Sequence, residues 1–262
     1  MPGKLPKISI ITPSLNQGKF IERTIKSVLD QKYPQLEYIV MDGGSTDQTL
    51  RILKKYKSRL TYFTGPDKGQ SDAINRGLTM ATGDIVAYIN SDDYYLPGTF
   101  DYITRAFSEK NAKWIIGMCR NVDTNGKKTR NYVSLWKGLW YRFPFPVKFK
   151  SNILYILNFI PQPAVFWKRS AMKKIGFFDV SLNFAMDYDF FIRLFKYSSP
   201  VITKRELASY TIQKQAKSFR FSKESFNESL KVAKRYTSSP VFLTLHYLHN
   251  LLAYRIYINS SQ

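Results

Sequence analysis

Apolar residues in the first hundred positions alternate between short unbroken runs and recurrences every three or four residues, the mark of strands alternating with helices. Ile8 to Thr12 is a short apolar strand, and Ile21, Ile25, Val28 and Leu29 then share one helical face until Tyr33 and Pro34 stop the run. Leu36 to Met41 predicts a second strand. A turn at Asp42, Gly43, Gly44 and Ser45 follows, then a helix through Leu50, Leu53 and Tyr56 capped near Thr46 or Asp47. Leu60 to Phe63 reads as a third strand, Ala73, Ile74, Gly77 and Leu78 as a third helix, and Ile85 to Ile89 as a fourth strand. This rhythm predicts an α/β unit around a mostly parallel sheet.

Ligands of open α/β sheets collect beyond the carboxyl ends of the strands, where loops and helix N-termini offer unpaired N–H groups. Thr12 to Asn16, Asp42 to Asp47, Asp67 to Asp72 and Asn90 to Asp93 should converge there. Asn90, Ser91, Asp92 and Asp93 put two adjacent carboxylates where a buried strand meets a loop. Hard divalent cations take such oxygens and complete their shell with water and phosphates, which makes a nucleoside diphosphate the first ligand to consider. Taken alone, the run serves equally well as a cap for the next element.

Beyond Thr99 the rhythm breaks. Trp114 to Cys119 reads as a strand and Asn125-Gly126 as a hairpin turn, after which Tyr132 to Phe166 is rich in Trp, Tyr, Phe and Pro with interspersed Lys and Arg. Trp136, Leu139, Trp140 and Phe143 suit an interfacial loop or amphipathic helix better than an ordinary aromatic core. Lys168 to Ile175 predicts a short helix ended by Gly176. Asp187 opens another, with Phe190, Phe191, Leu194 and Phe195 on its buried face, and Val201 to Thr203 a returning strand. Val241 to Ile258 is helix-prone but interrupted by His246, His249, Asn250 and Arg255, so it is expected to lie on a membrane rather than span it.

Charge sharpens this expectation. Forty Lys and Arg face 19 Asp and Glu, a formal charge of +21, and no acid occurs between Asp123 and Asp179. Such a chain favours a polyanion or an anionic membrane. Cys119 is the single cysteine, which excludes an intrachain disulfide and fits a reducing compartment. Met1 to Lys7 lacks the apolar core of a secretory signal, so a cytoplasmic protein, peripheral on the inner face of the cell membrane, is expected.

Thr12-Pro13-Ser14, Asp42 to Asp47, Asn90 to Asp93, Gln162-Pro163-Ala164 and Met186 to Asp189, in that order, resemble the family 2 glycosyltransferases that build bacterial cell-surface polysaccharides. The resemblance implies a GT-A (Rossmann-like) fold, a nucleotide-diphosphate sugar donor, UDP first, a divalent metal (Mn²⁺ or Mg²⁺) and inversion at the anomeric carbon. It assigns Thr12, Pro13, Asn16, Asp42, Gly44, Asp72 and Asp92 to the donor, Asp93 to the metal, Asp187 to the catalytic base, and Gln162 and Asp189 to the acceptor side. The acceptor would be a lipid-linked glycan. Residues 1–235 would form the catalytic domain with 131–160 as a membrane-interfacial or acceptor insertion, and 236–262 a membrane-associating amphipathic helix.

Three positions depart from the family pattern: Met186 replaces a usual Glu, Asn90 the first acid of Asp-x-Asp, and Gln213 the histidine of Tyr-x-x-His. Rival readings are weaker. A noncatalytic nucleotide-sugar binder has no need of Asp187, and a nucleic-acid-binding protein would explain the charge but lacks any recognition motif. Gly-x-Gly-x-x-Gly and Walker loops are absent, and His246 and His249, without nearby Cys or carboxylate partners, are expected on the polar face of the last helix rather than on zinc.

Overall fold

The computed structural model describes residues 5–129, 146–213 and 222–259. β1 (Ile8–Ser14) and β4 (Ile85–Tyr88) are buried along their whole length, and β2 (Leu36–Asp42) from Tyr38 onward, as parallel strands covered on both faces must be. β3 (Thr61–Thr64) is the exposed edge beyond β2. Between these strands run α1 (Ile21–Leu29), α2 (Thr49–Lys55) and α3 (Gln70–Met80). Helix α3 lies against β1 because residue 77 is glycine: a Cβ there would come within 2.6 Å of Ile11 Cγ2.

The second half closes the sheet. After β5 (Tyr94–Tyr95) and α4 (Thr99–Glu109) come β6 (Trp114–Val122), β7 (Val165–Lys168) and β8 (Val201–Thr211), and the strand order is β3-β2-β1-β4-β7-β6-β8-β5. Four of the seven pairings are parallel; β4–β7, β6–β7 and β5–β8 are antiparallel. Only residues 89–93 join β4 to β5, although three strands separate them in the order, so the sheet curls until its last strand returns beside β4's exit. That curl brings the end of β8 to the acidic loop.

Several elements differ from expectation. β1 and β2 run on to Ser14 and Asp42, β4 stops at Tyr88, and β8 has 11 residues where three were expected. β7 occupies the end of the segment read as interfacial and takes Lys168 from the expected helix, because Phe166 and Trp167 are fully buried between β4 and β6. The rest of that helix is present, as a 3-10 turn over Arg169–Ala171 running into the short α6 (Met172–Ile175), which ends at Gly176 as expected. In α5 (Val147–Leu154) and the turn after it, Ile153, Leu154, Leu157, Phe159 and Ile160 also join the core. Trp136, Leu139, Trp140 and Phe143 lie outside the described residues.

Helix α7 (Met186–Tyr197) is buried by Phe190, Phe191, Leu194 and Phe195, as expected, and is braced by α8 (Ser222–Tyr236), on which α9 (Pro240–Asn259) packs while stacking His246 on Tyr188 of α7. The polarity of α9 inverts the expected arrangement. His246 is 1% exposed and points inward, with Nδ1 3.1 Å from the Tyr155 carbonyl and its ring stacked on Tyr188, while burial lowers its pKa. Val241, Leu245, Leu248 and Leu252, at helical spacing, face outward at 42–62% exposure. Among the described residues no helix is long and apolar enough to cross a membrane.

At the opposite edge of the sheet from the acidic loop, Glu37 joins β1, β2 and the α3–β4 turn. Its carboxylate accepts hydrogen bonds from Lys7 Nζ (2.8 Å), Ser9 Oγ, Thr82 N (2.8 Å) and Thr82 Oγ1 (2.6 Å). Burial pushes its pKa up, but these bonds outweigh that and hold it at about 2. A depressed carboxyl stabilises the fold above its unfolded value of 4.5, and the contribution fades as pH falls towards 2. Thermal melts of Glu37→Gln should therefore show a loss of about 1–3 kcal/mol at pH 7 that shrinks below pH 4.

Candidate active site

The acidic loop is gripped from two sides. From α1, the Thr24 hydroxyl lies 2.6 Å from the Asp93 carbonyl and 2.9 Å from that of Ser91. The Arg23 guanidinium donates to the carbonyls of Asp92 (3.2 Å) and Thr124 (3.2 Å) and to Thr211 Oγ1 (3.0 Å), while lying over the Tyr94 ring. From β8, Thr211 N–H donates to Asp93 Oδ1 (2.8 Å) and Thr211 Oγ1 to the Asp92 carbonyl (2.5 Å). Gln213, just beyond the strand, donates to Asp92 Oδ2 (2.5 Å).

The two carboxylates differ in access. Asp93 is 1% exposed and its Oδ2 has no hydrogen-bond partner, whereas Asp92 is half-buried. Burial raises the pKa of both; the charge of Asp92 pushes Asp93 well up, while the Gln213 bond partly offsets the rise at Asp92. Expected as the main metal ligand, Asp93 is thus the less reachable of the pair. The unpartnered oxygen belongs to Asp93 and the solvent-facing carboxylate to Asp92. An unpartnered buried carboxylate oxygen and a neighbouring carboxylate fit a hard divalent ion. No group of three or more His, Cys, Asp or Glu able to hold a metal occurs among the described residues, so such an ion would take the rest of its shell from phosphate and water.

The other rim loops are locked to one another. Asp42 is 3% exposed and accepts from Gly44 N, Ser45 N, Ser45 Oγ and Thr64 Oγ1, so it organises its own loop. Gly44, at φ +89°, makes that turn possible. Asn16 Oδ1 accepts from Thr46 N (2.9 Å) and ties the β1 loop to the β2 loop. The Thr12 hydroxyl is buried against Tyr38 (3.1 Å), and Pro13 is buried with it at the carboxyl end of β1. Asp72 closes the turn before α3 by accepting from Lys68 N (3.1 Å).

A chain of amides spans the rim. Gln70 Nε2 donates to Asn90 Oδ1 (2.7 Å), Asn90 Nδ2 to Gln162 Oε1 (3.3 Å), and Gln162 Nε2 to the Tyr88 carbonyl (2.9 Å). Asparagine, which both donates and accepts, can link the two glutamines; an aspartate at 90 could only accept. Asp187 stands at the same place, half-buried in the first turn of α7, accepting from Tyr188 N (2.7 Å). Burial pushes the pKa of the Tyr88 hydroxyl up, and the charges of Asp187 and Asp93 push it further, so both acids are within electrostatic reach of this one tyrosine.

Asp189, expected on the acceptor side, does not belong here. Two residues from Asp187 on a helix, it points to another face, is 3% exposed, and pairs with Arg193 (2.7 Å) and the Tyr236 hydroxyl (2.6 Å). It binds α7 to α8. Sequence reasoning missed Arg23, Thr24, Gln70 and Glu228. Helical spacing puts Thr24 beside Ile21, Ile25 and Val28, the one signal that could have flagged it.

The Glycosyl transferase family 2 model matches residues 9–176. An uncharacterised glycosyltransferase of Mycobacterium tuberculosis is 30% identical over 78% of this chain and 75% of its own. A chondroitin synthase of Escherichia coli is 27% identical over 73% of this chain but only 27% of its own length. A Campylobacter jejuni protein described as GalNAc(5)-diNAcBac-PP-undecaprenol beta-1,3-glucosyltransferase is 32% identical over 44% of this chain and 38% of its own. Among solved structures, Staphylococcus aureus TarS in complex with UDP-GlcNAc superposes with a TM-score of 0.71 (21% identity, 89% of this chain, 67% of that one). The Pyrobaculum calidifontis mannosyltransferase PcManGT, in complex with GDP-Man and Mn²⁺, gives 0.70 (18% identity, 98% of this chain, 74% of that one). The curled, helix-flanked sheet is the GT-A architecture that the sequence led us to expect. With the family model spanning well over half of its length, the chain belongs to glycosyl transferase family 2.

Proposed function

We propose that this chain moves a hexosyl or N-acetylhexosaminyl group from a nucleoside-diphosphate sugar, UDP first, to a hydroxyl of a lipid-linked glycan, with inversion, while seated on the anionic inner face of the cell membrane. The observation that carries the reading is that Asp93 and Asp187, from different elements, both act on the Tyr88 hydroxyl at the carboxyl edge of the sheet, with Asp92 beside Asp93 on the acidic loop. The UDP-GlcNAc and GDP-Man complexes of TarS and PcManGT support the donor class, and the undecaprenol in the Campylobacter relative's description supports a lipid-linked acceptor.

Asp92, backed by Asp93, would hold a Mn²⁺ or Mg²⁺ ion, which when bound neutralises charge on the departing diphosphate. The acceptor hydroxyl attacks the anomeric carbon opposite the diphosphate. The new glycosidic bond forms as the bond to phosphate breaks, and the hydroxyl proton passes to the Asp187 carboxylate. Attack on the face opposite the leaving group inverts the carbon.

Membrane seating rests on the same polarity argument in reverse. Stable helices hide apolar faces, but α9 buries His246 and leaves Val241, Leu245, Leu248 and Leu252 outside, on a chain of charge +21. The Trp- and Tyr-rich sequence of residues 131–145, with Lys137 and Arg142, would add to this attraction.

Two experiments test the proposal. Asp187→Asn keeps shape and helix start but removes the proton acceptor, so the transfer rate should fall about 10²-fold or more with donor affinity unchanged. Near-parental turnover would move the base elsewhere. Replacing Leu245, Leu248 and Leu252 together by Ser should abolish flotation with anionic vesicles while leaving the melting temperature within a few degrees, since all three are solvent-exposed. Undiminished flotation would remove α9 from the membrane contact.

A further inference from the structure

The helix that carries Asp187 has alanine at its N-cap: Ala185 has no side chain to accept from the first turn, where Asp187 itself takes Tyr188 N. The backbone N–H groups leading into it donate to Glu228, more than 40 residues away on α8. Its carboxylate accepts from Asn183 N (3.0 Å), Phe184 N (2.6 Å) and Ala185 N (2.7 Å). Three N–H donors on one carboxylate form a charge-assisted anchor at the positive end of the helix. On the other side of the same turn, the Ser71 hydroxyl, in the first turn of α3, donates to the Leu182 carbonyl (3.1 Å) and touches the Met186 sulfur.

From this geometry we infer that Glu228 is a positioning residue for the transfer reaction: it fixes the 183–185 turn and with it the place of Asp187 at the rim. The inference rests on Asp187 as the base. The family's usual acid at 186 is methionine here, and the carboxylate at this helix entrance comes instead from α8. α8 is also the helix against which α9 packs, with Asn250 Nδ2 donating to the Phe226 carbonyl (3.2 Å) and Ser229 Oγ (3.1 Å). The C-terminal helical pair therefore supports the base as well as offering the apolar face.

Glu228→Gln leaves one acceptor oxygen for three donors and turns an NH₂ group towards them. Arg235→Gln on the same helix is the structural control, since it breaks the 2.7 Å pair with Asp179 and the 3.7 Å contact with Asp189 on α7 without touching the 183–185 turn. We expect kcat of Glu228→Gln to fall about tenfold or more with the donor KM within twofold, because small misplacements of a reacting group cost rate rather than binding. Arg235→Gln should melt lower but keep kcat. Amide hydrogen exchange at 183–187 should quicken in Glu228→Gln alone. Parental kcat in Glu228→Gln, or an equal fall in both variants, would overturn the inference. A parent inert towards every donor would instead count against the proposed activity, and exchange at 183–187 would then decide the role of Glu228: unchanged protection refutes it.

Discussion

Everything at the rim depends on holding two adjacent carboxylates at the end of a buried strand. Asp92 and Asp93 repel one another, and burial disfavours the charge on each. Such a pair keeps its place only if the surrounding backbone cannot move away. Arg23 and Thr24 fix the loop from α1, and Thr211 from β8. Most of these bonds go to main-chain carbonyls, which leaves the outer carboxylate, that of Asp92, free to meet a cation from solvent with only Gln213 on it.

This requirement explains the shape of the sheet. An open parallel sheet would leave β8 far from β4, but the antiparallel insertion of β7 between β4 and β6 and the short link through residues 89–93 curl the far edge back. β8 could then deliver Thr211 and Gln213 to the acidic loop. On the opposite side, α7 brings Asp187 to the same tyrosine, held by Glu228 at its entrance and by Asp189, Arg193 and Tyr236 along its flank. The helices after β8 are therefore structural partners of the helix that carries Asp187.

How far the chain could be read in advance follows from what each signal measures. Parallel strands buried on both faces appear as short apolar runs, and helices covering them repeat at three to four residues, so the first four strands and three helices were legible to within a few residues. Phe166 and Trp167 were not, because aromatic residues among lysines have the same composition in a core strand as at a membrane surface; the β7 pairing alone decides. Site chemistry was legible as residue type and not as direction. Asp42, Asp72 and Asp189 are acids in the expected segments, yet each is engaged by neighbouring groups. His246 shows the same limit, since spacing defines two faces of α9 but not which one is buried. Glu228 and Arg23 act across long sequence separations and carry no local signature.

The account stands or falls on the acidic pair as a cation-dependent diphosphate site. Calorimetric titration of UDP into the parent protein and Asp92→Asn, each with Mn²⁺ and with chelator, addresses this without any acceptor. The account predicts that Mn²⁺ tightens binding to the parent by about tenfold or more and that Asp92→Asn loses most of that gain, since removing one carboxylate weakens the charge that holds the ion. Equal affinity in Mn²⁺ and in chelator, or a full Mn²⁺ effect in Asp92→Asn, would contradict it.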